Sequence, residues 1–201
     1  MNQRDHEWYM ARTGIPTASR FKDVISKPKS GGETAVRREY RMQIVCEILT
    51  GLPQKSFSSA ATDWGIEHES EARSAFEFAT GLDVQEVGFI EHPIIRTGCS
   101  PDGFVGADAG VEIKCPFNTH NHVETLLNKQ MPLQHIPQVQ GSIWITGRDH
   151  WHFVSYDPRL PEHLRMFHQV IKRDDECIAM LETEIVNFNK DVSDLVKQLS
   201  D

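Results

Sequence analysis

Long apolar runs, cysteine pairs and a surplus of positive charge are all missing from this 201-residue chain. No stretch approaches the roughly 18 apolar residues of a membrane span. Met1 to Glu7 is polar and charged where a secretory signal would be apolar, so the expected location is cytoplasmic, with no membrane partner. Cys46, Cys99, Cys115 and Cys177 lie far apart and form no C-x-x-C pair, which argues against a disulfide framework or a zinc ribbon and predicts free thiols. His120-x-His122 and His150-x-His152 lack the spacing of structural zinc sites. Repeats, linkers and low-complexity tracts are also lacking, which predicts a single domain over 1–201, with a helical N-terminal region over 1–81 and a sheet core from about 84.

A net charge of −8 counts against a polyanionic partner, because holding a phosphate backbone rests on Lys and Arg. The distribution qualifies that. From Ala11 to Ala60 nine Lys/Arg face four Asp/Glu, whereas from Ala61 to Glu112 two face eleven. Basic and acidic work is thus divided along the chain, and an acidic cluster can hold divalent cations that bridge to phosphate oxygens.

Thr17 is a candidate cap for a helix through Phe21, Val24 and Ile25 that ends at Pro28. Helical spacing recurs from Glu33 to Leu49, and again from Ser58 or Ser59 to Thr80, with Gly51 and Gly81 as stops. The period then changes. Val84 to Ile90, Ile94 to Thr97, Gly103 to Gly106 and Val111 to Cys115 suggest short strands with at least one hairpin. Helices over Thr119–Asn128 and Leu133–Thr146, strands over Trp151–Tyr156 and Met166–Ile171, and a final amphipathic helix over Asp174–Leu199 complete an α/β fold with a mixed central sheet flanked by helices. Trp144, Trp151, Phe153 and Tyr156 fall in periodic segments and are expected in the core.

The stretch with most chemical content is Ser100-Pro101-Asp102-Gly103, followed by Glu112-Ile113-Lys114. On a strand Glu112 and Lys114 share one face while Val111, Ile113 and Cys115 take the other, so an apolar face is buried and a charged pair presented. If the turn is Ala107 to Gly110, Asp102 falls at the Lys114 end of the partner strand, and twist or a glycine bulge must bring it to Glu112. Two carboxylates suit Mg²⁺ or Mn²⁺, and an ammonium beside them can orient a water or stabilise developing negative charge; phosphodiester hydrolysis requires that combination. Pro-Asp-Gly alone is ordinary turn chemistry, and E-x-K alone is often a solvated ion pair. Combined in hairpin context they match the PD-(D/E)xK nuclease pattern.

Further motifs extend the match: Trp64-Gly65-x-x-x-Glu69-x-x-Ala72-Arg73-x-x-Phe76-Glu77-Phe78, Cys99-Ser100-Pro101-Asp102-Gly103, Glu112-x-Lys114-Cys115-Pro116-Phe117, Gln138-Val139-Gln140 and Tyr156-Asp157-Pro158-Arg159. In this order, from about Trp8 to the last helix, the chain resembles the bacteriophage lambda exonuclease, or YqaJ-type viral recombinase, family. The resemblance implies a restriction-endonuclease-like core and a processive Mg²⁺-dependent exonuclease that degrades one strand of duplex DNA from its 5′ end, leaving 3′ tails for strand annealing. It further implies a ring-shaped homotrimer and a single-strand annealing protein as partner. Within the wider superfamily the alternatives are an endonuclease or a junction resolvase; outside catalysis, an inactive DNA-end-binding scaffold.

Carried over by residue, the resemblance makes Asp102, Glu112 and the Ile113 carbonyl metal ligands and has Lys114 position the attacking water. Glu69 matches an acidic residue near the metal and is carried over as a further metal ligand, and Gln138 matches an active-site glutamine. Arg12, Thr17 and Ser19 match the stretch used for the 5′ phosphate, and an arginine fork with hydroxyls at a helix start suits an anion independently of kinship. Ser19 or Thr17 as a simple cap, and Glu69 or Gln138 as exposed polar residues, remain the plainer alternatives. Lys29, assigned to DNA contact, is a point charge where the family has the planar fork of arginine. Thr62 stands where the family has an apolar residue that helps to separate the strands.

Overall fold

In a computed structural model that describes residues 3–28, 31–54 and 59–200, the element order is α1 (His6–Arg12), a 3₁₀ turn (Ala18–Arg20), α2 (Phe21–Val24), α3 (Ala35–Thr50), α4 (Ala60–Thr80), β1 (Val84–Gln85), β2 (Ile90–Glu91), β3 (Gly98–Cys99), β4 (Gly103–Val105) and β5 (Ala109–Lys114). Then come α5 (Thr119–Asn128), a 3₁₀ turn (Leu133–His135), α6 (Ile136–Thr146), β6 (His150–Tyr156), a 3₁₀ turn (Glu162–Leu164), β7 (Met166–Lys172) and α7 (Asp175–Ser200). The main sheet runs β1-β4-β5-β6-β7, parallel only between β5 and β6, and β2 pairs separately with β3. This is the mixed sheet expected from the strand and helix periods. Among the described residues no helix is long and apolar enough to cross a membrane.

Side-chain alternation sorts the core into two layers. Trp151 and Phe153 of β6 point toward Phe21, Ile44, Ile143, Leu181 and Phe188 from α2, α3, α6 and α7. Val154 and Tyr156, one residue out of phase, join Val111 and Ile113 of β5 against Ala72 and Phe76 of α4. The other phase of β5, Gly110 and Glu112, therefore faces the α6 side. That strand is covered on both faces, and Glu112 is only 2% exposed. Glu112 is thus held inside a cleft, where the sequence pattern alone suggested an open charged face.

Local differences from expectation have identifiable causes. The helix expected from Thr17 is a 3₁₀ turn followed by the four residues of α2, and Thr17 makes no side-chain cap. Its N–H instead bonds the Tyr40 hydroxyl at 2.9 Å. The strand expected over Ile94–Thr97 is a loop, because the His92 ring Nδ1 accepts from the Ile94 and Ile95 N–H groups at 3.3 and 3.0 Å, and Pro93 supports the bend. Helix α1 was not apparent from periodicity, since none of its residues is buried and no apolar stripe exists to detect. Its signal was the cap: Asp5 accepts from the Trp8 N–H at 2.7 Å.

His122 is consumed structurally, bonding Ser155 and the Leu164 carbonyl at 2.7 and 2.8 Å. His152 and His168 share one hydrogen bond at 2.9 Å beside Phe76. One ring must donate and the other accept, so protonating both sets N–H against N–H. Burial first, then His168 and His150, depress His152 to about 4; burial also depresses His168. Folded pKa values below the unfolded value mean stability that is complete above about pH 6.5 and is lost as pH falls from there toward 4. The melting temperature should drop on the order of 5 °C between pH 7.5 and 5. In His168→Phe the drop should shrink, and an unchanged pH profile would assign the acid sensitivity elsewhere.

Candidate active site

The β4–β5 register explains how Asp102 reaches the second motif. Gly103 pairs with Val111 and Val105 with Ala109, so the loop is Gly106-Ala107-Asp108, with Gly106 in the left-handed region (φ 58°). This turn is tighter than the one expected over Ala107–Gly110. It sets Asp102 opposite Glu112 with no bulge. Gly103 itself is required, since a Cβ there would lie 2.3 Å from Val84 Cγ1 and 3.0 Å from the Gln85 carbonyl oxygen on β1.

Just before the start of β4, the Asp102 carboxylate replaces a strand partner and accepts from the Ile113 N–H at 2.6 Å. A strand residue's N–H and C=O point toward the same neighbour, so the Ile113 carbonyl is directed to the Asp102 edge as well. Glu112 Oε1 accepts from Lys114 Nζ and from Gln138 Nε2, both at 2.6 Å. Glu112 Oε2 is buried and has no hydrogen-bond partner among the described residues. Asp102, Glu112, Lys114 and Gln138 are therefore brought together at the C-terminal end of β5, beneath the start of α6.

Electrostatics follow from that crowding. Burial, then the charges of Glu112 and Glu69, raise the Asp102 carboxyl well above the usual carboxylate range. Burial pulls the Lys114 ammonium down, but Glu112, Asp102 and Glu69 outweigh it and the net shift is upward. Burial also pushes the neighbouring Cys115 thiol up to about 12, so it is not a nucleophile. Glu69, on α4, is held by Arg4 at 2.5 Å and Arg73 at 3.1 Å, and reaches the centre through its field.

Among the described residues no three of His, Cys, Asp and Glu converge as a ready metal cluster. The donor set nevertheless suits a hard divalent cation: two carboxylates repel each other across one edge, a buried carboxylate oxygen lacks a hydrogen-bond partner among those residues, and a backbone carbonyl faces the same edge. Asp102, Glu112 and Ile113 are the residues that would hold it.

Arg12, Thr17 and Ser19 line one cleft of about 400 Å³, together with Arg4, Trp8 and Arg20. Arg12 stacks 4.0 Å from the Trp8 ring centroid, and both donate to Ser100 Oγ, at 2.9 and 3.0 Å. Thr17 Oγ1 lies 3.3 Å from Ser19 Oγ. Ser19 also lines a second cavity with Lys114 and Gln138, so the two spaces meet at this residue. Thr62 also lines the larger cleft; Lys29 lies outside the described residues. Ser100 and Trp8 were not singled out from sequence as site residues, although both lie in or beside the quoted motifs. The signal that was available for Ser100 is its place two residues before Asp102.

A mixed sheet carrying Asp102, Glu112 and Lys114 at one strand end defines a nuclease of the PD-(D/E)xK class. The chain belongs to the YqaJ-like viral recombinase domain family, whose model matches residues 7–149. It is similar to the alkaline exonuclease LHK-Exo from Laribacter hongkongensis, with 40% identity over 98% of this chain and 96% of that one and a TM-score of 0.90. Against LHK-Exo in complex with dAMP the values are 41% identity, 97% and 96% coverage, and a TM-score of 0.90. A phage related exonuclease from Haemophilus somnus 129PT shares the fold at 16% identity, covering 92% of this chain and 96% of that one, with a TM-score of 0.76.

Proposed function

We propose that this protein is a Mg²⁺-dependent exonuclease, with Mn²⁺ able to substitute, that digests one strand of linear duplex DNA processively from its 5′ end and leaves 3′ tails for annealing. The observation that carries this reading is Ser19, which lines both the cleft that holds Arg12, where Arg4, Arg12 and Arg20 outnumber Glu47, and the cavity beside Lys114 and Gln138. An anchor for a terminal phosphate so placed sets the next linkage at the reactive centre, which favours an enzyme that starts at strand ends. Kinship with an alkaline exonuclease supports the same reading.

The bound divalent cation would supply charge neutralisation on the scissile phosphate and acidify the attacking water. Asp102 and Glu112 hold it, with the Ile113 carbonyl. Lys114 orients the water and faces the charge that develops on the phosphate, while Gln138 fixes Glu112. Glu69 keeps the field around Lys114 negative, so the ammonium stays charged. Arg12, Thr17, Ser19 and Lys29 serve the DNA end. A single-strand annealing protein as partner and assembly as a homotrimeric ring complete the proposal.

The test incubates linear duplex bearing a 5′-phosphate or a 5′-hydroxyl, and a covalently closed circle, with Mg²⁺ and then with chelator. We expect loss of the 5′-phosphorylated strand, slower loss from the hydroxyl end, an intact circle and no reaction in chelator. Cutting of the circle at the linear rate would make the protein an endonuclease. Arg12→Ala removes one charge-assisted contact and should slow digestion of the phosphorylated end roughly ten- to a hundredfold while sparing the hydroxyl end. Equal slowing on both ends would assign Arg12 to folding through Trp8 and Ser100.

A further inference from the structure

The cavity beyond Ser19 contains more cationic character than hydrolysis at Asp102 and Glu112 uses. Its volume is about 220 Å³, and its polar lining among the described residues is Ser19, Lys22, Lys114, Gln134, His135 and Gln138. That is below the size typical of sites for drug-sized ligands, which leaves room for a small polar group such as a phosphodiester. Two ammonium groups, two carboxamides, a hydroxyl and an imidazole line it without a carboxylate, in a chain that is acidic overall.

Two helical turns build this space. Ser19 and Lys22 are three apart across the first 3₁₀ turn and α2, and His135 and Gln138 are three apart at the start of α6, so each pair projects from one side of its turn. The two turns can approach closely because residue 141 is glycine: a Cβ there would meet the Phe21 ring at 2.6 Å and Ala18 Cβ at 3.4 Å. His135 is braced by stacking on Phe153, with ring centroids 5.5 Å apart and an interplanar angle of 28°. Burial, then Lys114 and Lys22, hold its imidazole at about 3, so at neutral pH the ring offers one N–H and no charge of its own. Lys22 is exposed and takes part in no ion pair among the described residues.

We propose that Lys22, Gln134 and His135 form a second phosphate subsite, which grips the internucleotide phosphate next along the strand from the scissile one. This rests on the reading of the site as an exonuclease centre. The terminal phosphate occupies the Arg12 cleft, the scissile phosphate sits at Asp102, Glu112 and Lys114, and the following phosphate falls past Lys114 into the cavity that Lys114 and Gln138 share with Lys22. Charge supplies the affinity, and the two turns fix the register in which the strand advances.

The experiment measures binding of 5′-phosphorylated duplex in chelator by fluorescence anisotropy, and single-turnover release of the first nucleotide with Mg²⁺. Duplexes carry an uncharged methylphosphonate at the second or at the fifth linkage. For the wild type, neutralising the second linkage should weaken binding about fivefold, the scale of one lost phosphate contact. Lys22→Ala should weaken the all-phosphate duplex by a similar factor with an unchanged melting temperature, and combining it with the neutral second linkage should add little. Gln134→Ala should show the same non-additivity more weakly. Losses that multiply, an equal coupling to the fifth linkage, or wild-type behaviour of Lys22→Ala would overturn the subsite. Failure of the exonuclease reading looks different: the wild type itself would release no nucleotide from linear duplex, while the anisotropy arm still reports on Lys22.

Discussion

Lys114→Ala should lose strand cleavage by on the order of a thousandfold or more while binding duplex DNA within a small factor of the wild type. The ammonium is the group that couples the two halves of the site. It donates to Glu112 Oε1 at 2.6 Å, shares that oxygen with Gln138, and is kept charged by three surrounding carboxylates. Few other donors are placed to offset charge growing on a phosphate at this strand end, and Gln138 is already engaged with Glu112. Binding, by contrast, is spread over the Arg12 cleft and the Lys22 cavity, so the loss of one partly exposed lysine leaves most phosphate contacts in place. Removing Lys114 also leaves Glu112 buried beside Asp102 without its cation, which lowers the stability of the metal-free protein. Thermal melting with and without Mg²⁺ separates the two effects. A variant that is folded and binds DNA but is catalytically silent supports the assignment; retention of activity within tenfold would remove Lys114 from the chemistry.

The fold was legible where burial imposes a period. Helices α3, α4 and α7 each carry an apolar stripe that one sequence reveals, β6 is a run buried on both faces, and Gly51 and Gly81 end α3 and α4 in left-handed caps as expected. Legibility failed where polar atoms decide the backbone. Helix α1 rests on an Asp5 cap, the loop after β2 on a histidine ring nitrogen, and the hairpin register on one left-handed glycine. None of these leaves an apolar pattern. The site divides in the same way. The pairing of Glu112 with Lys114 follows from strand alternation, but their enclosure does not, because it depends on α6 packing over β5. Gln138 lies twenty-six residues from Glu112 and becomes its partner only through that packing. Ser100 and His135 acquire meaning from long-range neighbours, Trp8 and Arg12 in one case and Lys22 and Lys114 in the other.

Gly110→Ala should be the most destabilising single-methyl change in the central sheet, and its cause can be isolated. Gly110 precedes the catalytic pair on β5 and lies opposite Trp151 of β6 in the parallel register. A Cβ at this position would meet three Trp151 ring atoms at 2.3, 2.4 and 2.6 Å, far inside contact distance. The indole is fully buried between the sheet and the α6 and α7 layer, so it cannot swing into solvent. Either the ring leaves its rotamer or β5 moves away from β6. We expect a loss of about 3 kcal/mol, the upper part of the range for overpacking, which corresponds to roughly 6 to 12 °C in melting temperature for a chain of this size. Cleavage should fall as well, because Glu112 is two residues further along the same strand and its bond to Gln138 depends on the spacing between β5 and α6. Trp151→Phe tests the cause. Alone it destabilises by leaving a cavity; combined with Gly110→Ala it makes room for the methyl, so the double variant should be at least about 1 kcal/mol more stable than the sum of the single losses predicts. Simple additivity would show that the clash is relieved elsewhere, and that the Trp151 ring is not what requires a glycine at this position.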